Sequence, residues 1–182
     1  MRFRPVGPEG VWLVQPERRA DERGYFARTF CADAFAAHGL PVRFPQCNVS
    51  FNAVRGTLRG LHWQDDPLPE AKLVRCVRGA VLDVAVDIRP GSATRGRWVG
   101  ATLSAENGDA LYIPAGFAHG YQTLEDATEL FYQMTQAYHA DLARGLRWDD
   151  PDLAIGWPLP DPVLSARDRA LPLLRDLDQR SG

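Results

Sequence analysis

The run Ala80-Val81-Leu82-Asp83-Val84-Ala85-Val86-Asp87-Ile88-Arg89 repeats with period two: Leu82, Val84, Val86 and Ile88 fall on one face, Asp83, Asp87 and Arg89 on the other. Side chains of an extended chain alternate between two sides, whereas a helix returns its apolar residues every three or four positions. The run is therefore a strand. Shorter runs at residues 97–103, 110–113 and 129–135 read the same way, separated by turn-forming clusters such as Arg89-Pro90-Gly91-Ser92 and Glu106-Asn107-Gly108-Asp109. Many strands at this spacing close into a barrel or a sandwich. Helix is confined to the Ala-rich residues 31–38 and to a stretch from about 165 to 177, where Pro172 interrupts an established turn.

The 182 residues are 45% hydrophobic and 24% charged, enough to bury one core, and no repeat or low-complexity tract divides them. One domain over residues 1–182 is expected. A formal charge of −2 gives no general attraction to nucleic acid or an anionic membrane, so an anionic ligand must be held by local arginines. The N-terminal residues are too broken by Pro, Gly and charge for a signal peptide, and no stretch approaches the roughly 20 apolar residues of a membrane span. A cytoplasmic location is the default expectation. Cys31, Cys47 and Cys76 are odd in number and form no CxxC pair, so they read as reduced packing residues.

Two segments do not read as scaffold: Arg55 to Gln64, which ends Arg59-Gly60-Leu61-His62-Trp63-Gln64, and Tyr112 to Tyr121, which contains Pro114, Gly116 and His119. In metal-binding cupins the corresponding segments read HxHxxxxE and PxGxxH and supply three histidines and a glutamate to one ion. Only the second pattern survives here. His38 and His139 offer no ligand pair at i, i+2 or i, i+4, so the expected fold is mainly β, a cupin-like double-stranded β-helix (jelly-roll) barrel with a few short peripheral helices and no catalytic metal. What remains is an acid/base inventory. His62 can accept a proton from carbon next to a carbonyl, Lys72 can stabilise the enolate oxygen, and Tyr132, on a strand face with Leu130 and Met134, can return a proton from the opposite side.

Each of these residues has a plainer reading. Lys72 follows Pro67, Pro69 and Glu70 and could protect an exposed strand edge. Ser165-Ala166-Arg167-Asp168 could be a capping box. Strict alternation puts Arg59 on the face opposite His62, unless Gly60 admits a bulge. Trp98, Trp148 and Trp157 read as packing. Only the combination of His62, Lys72 and Tyr132 argues for catalysis.

Asp21-Glu22-Arg23-Gly24, Gln46-Cys47-Asn48, Leu58 through Gln64, Lys72-Leu73-Val74, Pro114 through Gly120, Tyr132, Tyr138 and Ser165 through Asp168 resemble, in order, the dTDP-4-dehydrorhamnose 3,5-epimerase family. The resemblance implies His62 as base oriented by Asp168, Tyr132 as acid and Lys72 as the enolate stabiliser, with no cofactor. It further implies Arg23 and Arg59 on a diphosphate, Gln46, Asn48 and Arg167 nearby, His119 with Asp83 beside the sugar, and Phe26 and Tyr138 in substrate binding. The substrate class that the resemblance implies is a nucleoside-diphosphate 4-keto-6-deoxyhexose, inverted at C3, C5 or both. Members are homodimers that share N-terminal strands, so Arg23 could serve the partner's site. Two family glutamates near the nucleotide base are replaced here by Arg28 and Ala143, which removes acceptors for a pyrimidine N–H and leaves the base open. The competing readings are a 3,4-ketoisomerase, a metal-dependent cupin dioxygenase and a non-catalytic sugar-binding module. Tyr132 together with Asp168 favours epimerisation.

Overall fold

The computed structural model describes residues 1–178, so the last four residues of the expected domain lie outside the described residues. Its strands are β1 (Arg2–Pro5), β2 (Trp12–Gln15), β3 (Arg18–Asp21), β4 (Gly24–Ala27), β5 (Gln46–Asn52), β6 (Leu58–Gln64), β7 (Lys72–Arg78), β8 (Ala80–Asp87), β9 (Trp98–Ser104), β10 (Ala110–Ile113), β11 (Phe117–Thr123), β12 (Thr128–Met134) and β13 (Ala143–Gly145). Six form one sheet in the order β1-β2-β10-β7-β12-β5, and five form a second in the order β13-β6-β11-β8-β9. The β3–β4 hairpin belongs to neither. Neighbouring strands within both sheets run antiparallel, and the two sheets face each other as a jelly-roll barrel.

Alternation decides what lies between the sheets. Val74, Cys76 and Leu130 from the six-stranded sheet meet Val81, Ala85, Phe117 and Tyr121 from the other in one buried cluster. The opposite face of the five-stranded sheet packs Leu61, Trp63, Val84 and Val86 against Leu146, Leu153 and Leu174 of the C-terminal segment. Both faces of β8 are thus buried. Asp83 and Asp87, on the face that looked polar in the sequence, point into the barrel and are 0% exposed. Burial would raise the Asp87 carboxyl, but hydrogen bonds from Arg89, Thr94 and Ser92 overcome this and hold it well below the usual carboxylate range. The turn at residues 89–92 is therefore anchored by a buried charge.

Helix is sparse: α1 (Ala32–Ala36) buries Phe35, and the expected C-terminal helix is split into α2 (Ala166–Arg169) and α3 (Leu174–Asp178) around Pro172. The Trp98 indole on β9 donates to the Leu153 carbonyl, which fastens the C-terminal segment to the sheet, and the Trp157 indole donates to the Trp148 carbonyl within that segment. The packing reading of the cysteines holds for buried Cys76, whose thiol burial pushes up to about 11, and is corrected for Cys47, which is exposed on β5. No helix of the described residues is long and apolar enough to cross a membrane.

Candidate active site

β6 carries two functional side chains of opposite parity, and a bulge brings them to one side. In its pairing with β11, His62 opposes His119 and Arg59 opposes Tyr121, so Gly60 and Leu61 together face Gly120 alone. Gly60 has φ +134°, and a Cβ there would stand 2.5 Å from the Cα of Gly120. Only glycine meets both conditions. Arg59 and His62 consequently line the same cavity, of about 520 Å³, at the polar end of the barrel interior.

Around that cavity the sheets contribute one inward residue at a time. β7 and β12 supply Lys72 and Tyr132 two positions from the core residues Val74 and Leu130, and β11 supplies His119 and Tyr121. β7 lies in the middle of its sheet, which overturns the reading of Lys72 as an edge lysine. The Lys72 ammonium is buried, paired with Glu70 Oε1 at 2.9 Å and bonded to the His62 carbonyl at 3.3 Å. Tyr132 makes no hydrogen bond through its hydroxyl among the described residues; burial, reinforced by the Glu70 charge and opposed by Arg59, raises its phenol. It stays protonated at neutral pH and can act as an acid.

His62 Nε2 lies 2.7 Å from Asp168 Oδ1. Ser165 caps α2 by accepting from the Asp168 backbone N–H at 3.0 Å, but the Asp168 carboxylate turns to the histidine instead of closing a capping box. Burial would raise that carboxyl; the hydrogen bond and charge of His62, with Ser165 and the Gly60 backbone, together lower it below the ordinary range. With Nε2–H donated to Asp168, Nδ1 carries the free lone pair, and it has no protein partner among the described residues. A second pair sits alongside, His119 Nε2 to Asp83 Oδ1 at 2.7 Å. Asp83 backs the imidazole from inside the barrel and does not line the cavity. Among the described residues no group of three or more His, Cys, Asp or Glu is arranged to hold a metal ion.

An adjoining recess of about 310 Å³ shares His62, Lys72, Tyr132 and Arg167 with the cavity and adds Gln46, Asn48, Tyr138 and Ala143. The structure thus gathers the expected residues except those of the β3–β4 hairpin and Asp83, which was expected beside the sugar but stands behind His119, fully buried and off the cavity surface. Arg23 is 82% exposed and paired with Asp21, and Phe26 is 66% exposed; neither reaches the cavity of its own chain. Arg28 is also exposed. Sequence reasoning missed Glu70, Ser50, Asn52 and Tyr121. Period two from Gln46 and Asn48 leads directly to Ser50 and Asn52, and Glu70 is two residues from Lys72, so the signal was present for three of them.

Residues 7–176 match the family model described as dTDP-4-dehydrorhamnose 3,5-epimerase. The chain belongs to this epimerase family. A dTDP-4-dehydrorhamnose 3,5-epimerase of Sinorhizobium fredii is 47% identical over 178 residues, covering 97% of this chain and 91% of the relative. Among solved structures, NovW, a 4-keto-6-deoxy sugar epimerase from the novobiocin cluster of Streptomyces spheroides, superposes with a TM-score of 0.95 at 43% identity, covering 100% of this chain and 91% of that one. The Legionella pneumophila dTDP-6-deoxy-D-glucose-3,5-epimerase, solved with dTDP-4-keto-L-rhamnose, gives 0.92 at 40% identity, over 98% and 95% of the two chains. Membership in the epimerase family makes the chain an isomerase of sugars and disfavours the ketoisomerase and dioxygenase alternatives.

Proposed function

We propose that the chain epimerises a nucleoside-diphosphate 4-keto-6-deoxyhexose next to its ketone, with His62 as base and Tyr132 as acid. The observation that carries this is one cavity lined by both His62, held by Asp168, and Tyr132, whose hydroxyl has no partner among the described residues. His62 Nδ1 takes the proton from the carbon next to the carbonyl, and the electron pair moves to the ketone oxygen. The Lys72 ammonium, held by Glu70, meets that charge. Tyr132 delivers a proton to the other face of the carbon, which inverts it. No cofactor enters the scheme.

Arg59 and Arg167 take the diphosphate in this reading, Gln46, Asn48 and Tyr138 the nucleoside in the adjoining recess, and His119 the sugar. Arg23 and Phe26 complete the site of a second copy in a homodimer. Support for the dimer comes from the projecting hairpin and from Val49, Phe51 and Val77, large apolar residues exposed on the outer face of the six-stranded sheet. A cytoplasmic setting fits the free, exposed Cys47. The test is proton NMR in D₂O with dTDP-4-keto-6-deoxyglucose and its CDP and GDP counterparts. Deuterium entering at C3 or C5 supports the reaction, and the preferred nucleotide tells what Ala143, which lines the recess in place of a carboxylate, does to base choice. Absence of exchange with every nucleotide would sink the proposal.

A further inference from the structure

Asn52 is 2% exposed at the end of β5, and every polar atom of its side chain is engaged. Its Nδ2 donates to the carbonyls of Ser50 at 3.2 Å and Thr128 at 3.3 Å, which fixes the orientation of the amide, because a reversed oxygen would face two other oxygens. Oδ1 must then point the other way. There it accepts from Arg59 Nε at 2.8 Å and, at 3.4 Å, from the Tyr121 hydroxyl. That hydroxyl is itself held by Ser50 Oγ at 2.7 Å. Arg59 Nη2 donates to the Phe51 carbonyl at 3.3 Å, and the remaining guanidinium N–H groups have no partner among the described residues and stand at the cavity.

We infer that Asn52 is a positioning residue for ligand binding: it locks the Arg59 guanidinium in an anion-ready orientation, with Tyr121 and Ser50 bracing the lock. The inference rests on the reading of Arg59 as a diphosphate ligand. A free arginine has many rotamers, and a ligand that must order it loses affinity for doing so. A buried amide that makes four hydrogen bonds cannot turn to follow, so it holds the fork in one place before the ligand arrives. Tyr121 differs from Tyr132 in this respect: both rings line the cavity, but only the Tyr121 hydroxyl is tied up.

The test is a double-mutant cycle on binding of dTDP or CDP, whichever the wild-type enzyme binds more tightly, measured by calorimetry. Asn52→Ala should weaken binding about three- to ten-fold in the wild-type background and raise KM with kcat retained. In an Arg59→Ala background the same change should have no further effect, because the residue it acts through is gone. An equal loss in both backgrounds, or no loss where Arg59→Ala alone weakens binding, would overturn the inference. Unchanged affinity in Arg59→Ala would remove the diphosphate reading itself, and the inference with it. If Asn52→Ala does not fold, Tyr121→Phe, which deletes one brace and no volume of consequence, is carried through the same cycle with the same two opposed outcomes.

Discussion

The two histidine–aspartate pairs have the same 2.7 Å bond and stand directly opposite each other on β6 and β11, yet they are built from different materials. His62 has 36% of its side chain exposed, and its carboxylate arrives from α2, far along the chain. His119 has 10% exposed, and Asp83, on the adjacent β8, has none. Asp83 Oδ2 is buried without a hydrogen-bond partner among the described residues, whereas Asp168 is supported by His62, Ser165 and Gly60. The first pair keeps one edge of its ring open, which proton transfer to and from a substrate requires. The second holds its ring still in the barrel wall, where His119 is the only bonded partner of a buried carboxylate among the described residues.

Cutting each pair at its histidine should separate these roles. His62→Ala should reduce solvent exchange into the substrate by about a hundred- to ten-thousand-fold with little change in unfolding by urea. Retention of wild-type exchange would remove His62 as the base. His119→Ala should instead cost about 1 to 3 kcal/mol of stability, because it leaves the buried Asp83 carboxyl without its hydrogen-bond partner. If urea midpoints of the two variants coincide, the structural contrast between the pairs is wrong.

Tyr132→Phe keeps the ring and deletes the hydroxyl, so deuterium wash-in should continue while net inversion falls, by about a hundred-fold. Equal survival of both would assign the acid elsewhere. The smallest effect is on acid stability. The Asp168 carboxyl is lowered on folding, so its contribution is present above the ordinary carboxylate pKa of about 3.9 and is lost as pH falls through the folded value. Asp168→Asn should flatten the fall in stability below about pH 4, measured by urea unfolding across pH. An unchanged slope would mean that the His62 pairing contributes nothing to it.

Much of this site was legible residue by residue. His62, Lys72, Tyr132 and Asp168 were named from chemistry and from the family's motifs, and the cavity brings all four together. Gly60 was marked as the place where a bulge would reconcile Arg59 with His62, and the ladder shifts there. Glu70 escaped because a carboxylate two residues from a lysine looks like a solvated pair until both are found buried. Arg23 and Phe26 illustrate the opposite case: the motif names them, but the hairpin carries them away from their own cavity.

Alternation and turn chemistry are local, so the sequence alone determined the strands of residues 80–87 and 110–113, the interruption at Pro172 and the sorting of residues onto two faces of each strand. Which face became the interior was decided only when the sheets closed. Asp83 and Asp87 looked like the solvent side of β8 because charge is costly to bury. The barrel buries them anyway: His119 reaches Asp83 from β11, while Arg89, Ser92 and Thr94 meet Asp87 from the turn that follows β8. The partner of Asp83 is a property of packing that no short window of sequence contains; the partners of Asp87 are local, but only the closed barrel buries the carboxylate they hold.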